Sequence, residues 1–193
     1  MNIHDKKINS LSLHGHTLVS SSSDSSINLW DARMLPPASG NGGGGGGGGS
    51  KTKRVRALAR LPMITRSAQS AYFDPAGSGR VLVTSYDDAV SIWDCNDAGK
   101  PARLARVRHN NHTGRWVMPF RARWTPAGDG FVIGSMSRTV EVFGAGAGAD
   151  GGCERAFELA DEKMTAIPAR NAMHPRLPVI AAGTNSGRIH IWR

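Results

Sequence analysis

The residues of this 193-residue chain that could do chemistry are mainly basic. Between residues 100 and 138, eight Lys or Arg residues accompany a single acid, Asp129. Segment 106–119 combines such bases with amide side chains and Trp116. Cations pair with phosphates and an indole can stack on a base, so this composition suits nucleic acid. A Trp116 packed beneath the loop is the structural alternative, and chemistry alone leaves both open. The candidate DNA contacts here are Arg108, His109, Asn111, His112, Arg115 and Trp116.

A second basic run occupies residues 51–60. Its alternation predicts an outer β-strand over 54–61, with Arg54, Arg56 and Arg60 on one face. Such a stripe can bind phosphates, although Lys and Arg also protect solvated edge strands from aggregation. Lys53, Arg54 and Arg56 complete the candidate DNA-binding set.

A third candidate site follows the apolar residues 27–29. Trp30 and Asp31 are followed one residue later by Arg33. The planar guanidinium of Arg33 can make two charge-assisted bonds to a protein partner. The alternative is that Trp30 and Asp31 serve the core and a turn.

Motifs of catalysis and metal binding are missing from the sequence. It has no GxSxG, GxxxxGK[ST] or HExxH motif, and no GxGxxG between a strand and a helix. His14 and His16 fall in a predicted turn without ligand partners, and Cys95 and Cys153 lack CxxC spacing. We therefore expect no enzymatic activity, metal, cofactor or small-molecule substrate.

The composition favours a polyanionic partner and a reducing compartment. Twenty-four Lys and Arg against 15 Asp and Glu give a net charge of +9 and a pI of about 10.4. Solubility alone is the simpler explanation. No apolar stretch approaches the roughly 20 residues that cross a bilayer, and residues 1–7 do not resemble a secretory signal. We expect no membrane association.

Four repeated units must position these residues. Each unit has an apolar strand, a β-branched strand and a strand that ends in an aromatic residue. The closing aromatics are separated by 63, 50 and 49 residues, and a glycine-rich insertion at 36–50 lengthens the first interval. Repeats of about 40–50 residues with several strands each are typical of β-propellers. The closing aromatics are Trp30, Trp93, Phe143 and Trp192.

We predict one all-β propeller domain over residues 1–193, with units at about 7–35, 51–99, 100–150 and 151–193. The insertion at 36–50 is expected to be disordered. The last unit ends after Trp192 without an outer strand. We interpret the chain as four blades of a seven-bladed ring, with a four-bladed ring as the alternative.

Segment 18–33 resembles a WD repeat. Over these sixteen positions it is similar to the box of WD proteins that dock onto damage-specific DNA-binding protein 1, the adaptor of a cullin ubiquitin ligase. This resemblance implies that Arg33 contacts the adaptor while Trp30 and Asp31 hold the strand end. The second unit has Asn96 where the box requires Arg, so one docking motif is expected.

Segments 109–116, 120–126, 171–175 and 180–191 resemble the WD repeat-containing protein 76 family. That family includes the yeast changed-mutation-rate protein and is related to DNA damage-binding protein 2. The resemblance implies a nuclear, seven-bladed WD40 propeller that binds DNA, preferentially after ultraviolet damage. In the damage-binding relative, the loop corresponding to 109–116 is wedged into the lesion. This sequence keeps His112 there but otherwise differs. The alternative function is a scaffold or substrate receptor of the ligase.

Overall fold

The computed structural model describes residues 3–35, 55–62, 64–146 and 152–193. The expected disorder of 36–50 and the candidates Lys53 and Arg54 lie outside these residues. The described chain is all-β apart from one 3-10 turn at Ala32–Met34. The strands are β1 (Ile8–His14), β2 (Thr17–Ser22), β3 (Ile27–Asp31), β4 (Ala59–Arg60), β5 (Ala68–Phe73), β6 (Arg80–Ser85), β7 (Ala89–Asp94), β8 (Ala102–Arg108), β9 (Arg123–Trp124), β10 (Gly130–Gly134), β11 (Val140–Ala145), β12 (Cys153–Leu159), β13 (Pro168–Met173), β14 (Ile180–Thr184) and β15 (Ile189–Trp192).

These strands form four antiparallel sheets arranged as propeller blades. Blades 1 to 3 contain β1–β4, β5–β8 and β9–β12, whereas blade 4 contains only β13–β15. The prediction of four blades, with the last lacking an outer strand, is confirmed. The seven-bladed ring concerns further blades and stays a prediction.

Blade stacking explains why the middle strands are apolar on both faces. In β6, Val81, Leu82 and Val83 are fully buried although their side chains alternate in direction. Val81 and Val83 belong to the core cluster shared with blade 1, and Leu82 belongs to the one shared with blade 3. The same sheet therefore supplies two hydrophobic interfaces, and burying each residue removes apolar surface from water.

The first strand of each blade lies nearest the propeller axis. Strand β1 contacts β5 of the next blade, and β13 contacts β10 of the blade before it. Because consecutive strands are antiparallel, the connections alternate between two ends of the blades. We define the upper end by the connections between blades and the β2–β3, β6–β7, β10–β11 and β14–β15 turns. All other connections lie at the lower end.

Two predicted strands are shorter than expected. Among the described residues 55–61 of the predicted outer strand, the register with β3 covers Ala59 and Arg60, and the N–H groups of Leu58 and Leu61 donate to Leu29 and Ile27 on either side. The apolar first strand expected in the third unit is β9, which pairs with β10 only at Arg123 and Trp124, because the Ala122 N–H donates to Thr84 Oγ1 of blade 2 instead of to β10. The sequence units are also offset from the blades: β4, within unit 51–99, completes the sheet of the preceding unit.

Candidate nucleic-acid interface

Buried polar groups hold the β8–β9 connection at the upper end. Asn111 is 1 % exposed, and its Nδ2 donates to the carbonyl oxygens of Ser85 at 2.8 Å and Ala89 at 3.1 Å. The Asn111 backbone N–H donates to Asp88 Oδ1 at 3.0 Å. Side chain and backbone of one residue thus fasten the connection to the β6–β7 turn.

His109 completes this internal anchor. Its buried Nδ1 lies 2.8 Å from Asn111 Oδ1, and its ring meets Phe120 edge-on with centroids 5.8 Å apart. Its Nε2 lies 3.7 Å from Glu141 Oε2. Sequence analysis predicted His109 and Asn111 as DNA contacts. The structure buries both side chains, where they position the loop, and a direct contact of either with DNA stays a prediction.

His112 lies at the surface and contacts the upper end of blade 2. Its Nδ1 is 2.8 Å from Asp88 Oδ1, and its Nε2 is 2.9 Å from Arg66 Nη1. Because a guanidinium can only donate, Nε2 accepts and Nδ1 carries the proton that Asp88 accepts. The ring also stacks on Tyr86, with centroids 6.0 Å apart and planes 18° apart.

The Asp88 carboxylate is stabilised by these contacts. Burial acts to raise its pKa, but hydrogen bonds from the Asn111 N–H and from His112 outweigh burial and lower the pKa. Asp88 is therefore ionised at neutral pH. It holds His112 against the β6–β7 turn.

Arg115 and Trp116 form the tip of the loop. The Trp116 side chain is 87 % exposed, which excludes the alternative of an indole packed beneath the loop. The Arg115 Cζ atom lies 5.5 Å from the indole centroid, within cation–π distance. The backbone before them turns at Gly114 (φ +69°), and the Trp116 carbonyl accepts from Asn185 Nδ2 at 3.1 Å. The anchored backbone thus presents the guanidinium of Arg115 and the exposed indole of Trp116.

Further arginines lie along the same end. Arg108 is the exposed last residue of β8. Other arginines near the upper end donate hydrogen bonds to backbone carbonyl oxygens. Such bonds fix the side chains but leave their positive charges without a carboxylate partner. These pairs are Arg60 to Ser25 (3.1 Å), Arg106 to Asp87 (3.4 Å) and Arg188 to Lys163 (3.4 Å).

Arg56 is not brought to this loop. It is exposed in the segment that enters β4, and because β4 begins at the lower end, Arg56 precedes Arg60 on the outer side of blade 1. The described residues show no hydrogen bond or ion pair between Arg56 and the β8–β9 connection.

The Trp30–Arg33 segment lies at the lower end of blade 1 and serves two purposes. Buried Trp30 donates from Nε1 to Ser20 Oγ at 2.8 Å. Ser20 Oγ lies 2.7 Å from His4 Nε2, and His4 Nδ1 lies 3.1 Å from Asp24 Oδ2. Trp30 is thus the end of an internal polar chain and positions the strand.

Arg33 remains accessible, with 65 % of its side chain exposed. Its Nε donates to Asp31 Oδ1 at 2.9 Å, and its Nη2 donates to Asp31 Oδ2 at 2.7 Å. The hydrogen bonds from Arg33 lower the pKa of Asp31 to about 2. Asp31 also accepts from the Arg33 backbone N–H, so it orients Arg33 while capping the 3-10 turn.

Sequence analysis missed three members of the upper-end site, namely Arg66, Tyr86 and Asp88. Arg66 directly precedes the first strand of blade 2 and therefore lies at the same end as the β8–β9 connection. The repeat pattern predicts that strand connections alternate between the two ends of the blades. This alternation could have placed Arg66 beside the β8–β9 connection.

Within the described ranges, the structure holds no group of three or more His, Cys, Asp or Glu residues suited to a metal ion. The same part of the chain includes no helix of the length and hydrophobicity that a membrane span requires.

Known proteins are similar to this chain. The family model described as "WD domain, G-beta repeat" matches residues 1–31. WD repeat-containing protein 76 of Xenopus laevis is 35 % identical over 144 residues, which are 72 % of this chain and 24 % of that protein. DNA damage-binding protein CMR1 of Chaetomium globosum is 32 % identical over 208 residues, covering 97 % of this chain and 36 % of that protein.

WD repeat-containing protein 76 of Mus musculus is 32 % identical over 146 residues, covering 74 % of this chain and 22 % of that protein. The chain thus spans about a quarter to a third of the length of these curated relatives. The names of these relatives are not those of enzymes.

Proposed function

Since this chain belongs to the WD-repeat family that includes WD repeat-containing protein 76 and DNA damage-binding protein CMR1, we propose that it binds duplex DNA at the upper end of its blades. The observation that carries this proposal is the 87 % exposure of Trp116 beside Arg115. The proposed role is nuclear and non-catalytic, within the DNA damage response.

The proposed interface combines electrostatic contacts to phosphates with stacking on a base. Arg108 and Arg115 neutralise phosphates, which releases counterions and makes affinity depend on salt. Trp116 offers an aromatic face for a base, and stacking contributes about 1–3 kcal/mol per base. Because Asn111 fixes the loop before binding, little conformational entropy remains to be lost on association.

A preference for damaged duplex follows from the same geometry. Inserting a side chain between bases requires partial unstacking, which costs less where a lesion has already weakened the stack. An exposed indole at the tip of an anchored loop suits such insertion, and His112 supports the loop from below. The name of the CMR1 relative, DNA damage-binding protein, agrees with this proposal.

Fluorescence anisotropy with labelled duplex tests both parts. The full chain is titrated with intact and ultraviolet-irradiated duplex at several salt concentrations. We expect the logarithm of the binding constant to fall linearly with the logarithm of salt concentration, and irradiated duplex to bind more tightly. Binding without salt dependence contradicts the proposed contacts, while equal affinity for both duplexes contradicts only the damage preference.

A second candidate function is docking onto the adaptor of a cullin ubiquitin ligase, damage-specific DNA-binding protein 1. It is favoured by the exposed, Asp31-oriented guanidinium of Arg33 at the lower end, opposite the proposed DNA contacts. Both activities could therefore coexist in one substrate receptor.

We expect Arg33→Ala to abolish co-precipitation with the purified adaptor, and Arg176→Ala, a charge-matched change at the lower end of blade 4, to retain it. Full binding by Arg33→Ala contradicts this docking mode.

A further inference from the structure

Three arginines gather at the axis-facing edge of blades 3 and 4. Arg121 and Arg123 come from β9 and the residues just before it, and Arg170 comes from β13. None of the three forms an ion pair within the described part of the chain, where the recorded ion pairs join other residues. This edge therefore carries concentrated positive charge that the fold itself does not neutralise.

Arg123 is held in place by an aromatic ring. Its Cζ lies 4.3 Å from the centroid of Tyr72 on the neighbouring blade, and its side chain remains exposed. A cavity of about 470 Å³ opens beside it, bounded by Trp124 and by Asn171 of blade 4. Stacking leaves the edge of the guanidinium fork free to meet a ligand.

Arg170 is partly buried, and its recorded hydrogen bonds go to backbone carbonyls. Its Nη1 donates to the carbonyl oxygens of Pro119 at 2.7 Å and Ala169 at 2.9 Å. Desolvation lowers its pKa, and the charges of Arg121 and Arg123 lower it further. The hydrogen bond to Pro119 holds Arg170 at a point two residues before Arg121 along the chain, and Asn171, the neighbour of Arg170, bounds the same cavity as Arg123. The three side chains therefore lie near one another, and their like charges repel.

Arg121 adds an unmet hydrogen-bond donor. Its Nε is buried and has no hydrogen-bond partner among the described residues. Buried donors are almost always satisfied, so a ligand with an acceptor oxygen would complete the hydrogen bonding of this N–H. Repulsion between neighbouring cations and an unsatisfied N–H are both relieved by the same ligand, an anion with several acceptor oxygens.

We propose that Arg121, Arg123 and Arg170 form a binding site for a phosphate-type oxyanion at the axis-facing edge of blades 3 and 4. A phosphate group offers several oxygens to guanidinium forks, which pair with it through parallel charge-assisted bonds. The site is separate from the Arg115–Trp116 tip. Its ligand is either a free phosphate compound or a backbone phosphate of bound DNA.

Calorimetric titration of the full chain with inorganic pyrophosphate, at constant ionic strength, tests the site. Arg123→Gln is the informative variant because Arg123 is exposed and its loss should not unfold the protein. Arg103→Gln is the matched control: Arg103 also lies over an aromatic ring, 5.9 Å from the Trp93 centroid, but on outer strand β8.

We expect saturable one-site binding by the wild type and Arg103→Gln, and at least tenfold weaker binding by Arg123→Gln. Arg123→Lys, which keeps the charge but loses the fork, should bind more weakly than the wild type. Absence of saturable binding by the wild type overturns the proposal. Equal losses in Arg103→Gln and Arg123→Gln also overturn it, because they indicate only general attraction.

Competition between pyrophosphate and labelled duplex distinguishes a free phosphate compound from a backbone phosphate of DNA as the ligand. Displacement of duplex by pyrophosphate, with weaker DNA binding by Arg123→Gln, identifies a DNA phosphate as the ligand. Pyrophosphate binding that leaves DNA affinity unchanged identifies a free phosphate compound. Because pyrophosphate binding is measured without DNA, the site can stand even if the proposed DNA binding fails.

Discussion

The His112 imidazole lies 2.8 Å from the Asp88 carboxylate, and this contact joins a loop to a turn 24 positions earlier in the chain. Asp88 simultaneously accepts from the backbone N–H of Asn111. The rigid blade therefore determines the position of the loop. The exposed residues beyond His112 gain their direction from the half-exposed contact between Asp88 and His112 and from the buried Asn111.

Replacing the exposed indole separates binding from stability. Trp116→Ala removes the proposed stacking partner, worth about 1–3 kcal/mol, so duplex affinity should fall roughly five- to 150-fold. Its high exposure predicts a change in unfolding free energy within about 0.5 kcal/mol. Anisotropy and urea denaturation measure the two effects. Leu177→Ala, an exposed apolar change at the lower end, should leave both unchanged. Unaltered affinity in Trp116→Ala contradicts a stacking role.

Replacing the loop anchor should affect stability first. Asn111→Ala leaves the carbonyls of Ser85 and Ala89 without their amide donor, and His109 without its acceptor. Losing such buried partners costs about 1–3 kcal/mol, measurable by urea denaturation. DNA affinity should fall as well because the loop loses its support. Lys100→Ala, an exposed change in the β7–β8 connection, should change stability by less than about 0.5 kcal/mol. A fully stable Asn111→Ala protein contradicts the anchoring role.

Acid should weaken blade 1 through Asp24. Burial acts to raise its pKa, but hydrogen bonds from the Ser26 hydroxyl and the N–H groups of Asp5 and Ser26 outweigh burial and lower it to about 2. A carboxyl whose pKa is depressed by folding stabilises the protein above its unfolded pKa of about 4, and this contribution is lost as pH falls towards 2.

Asp24→Asn should therefore reduce stability at pH 7 by about 1.5–3 kcal/mol, the range for hydrogen bonds to charged groups. It should also flatten the decline in unfolding free energy between about pH 4 and pH 2. Chemical denaturation across this pH range measures both effects, with exposed Glu162→Gln as control. An unchanged pH profile in Asp24→Asn would show that Asp24 does not contribute.

The repeat pattern predicted the blades because each depends on local alternation and turn residues. The closing aromatics Trp30, Trp93 and Phe143 are all buried at the ends of predicted strands. Within the described part of the predicted outer strand of blade 1, the register with β3 covers only Ala59 and Arg60, which the alternation in its sequence could not show. Sheet pairing depends on the partner strand as well as on the segment itself.

The composition of the β8–β9 connection identified it as a candidate site. Composition did not distinguish residues that face a ligand from residues that hold the loop in place. His109 and His112 are three residues apart, yet one is buried beside Asn111 and the other stacks on Tyr86 at the surface. Their partners come from another strand and turn, which a linear pattern does not identify. Likewise, the convergence of Arg123 with Arg170 follows from the docking of blade 4 on blade 3.

The salt dependence of duplex binding by Arg115→Gln tests the central claim most directly, with Arg103→Gln as a charge-matched control on an outer strand. If Arg115 contacts a phosphate, its replacement should weaken binding to duplexes of every DNA sequence. It should also reduce the slope of the logarithm of the binding constant against the logarithm of salt concentration by about 0.9. Arg103→Gln should keep the wild-type slope. Identical slopes for the wild type and Arg115→Gln would contradict DNA binding by the upper-end loop.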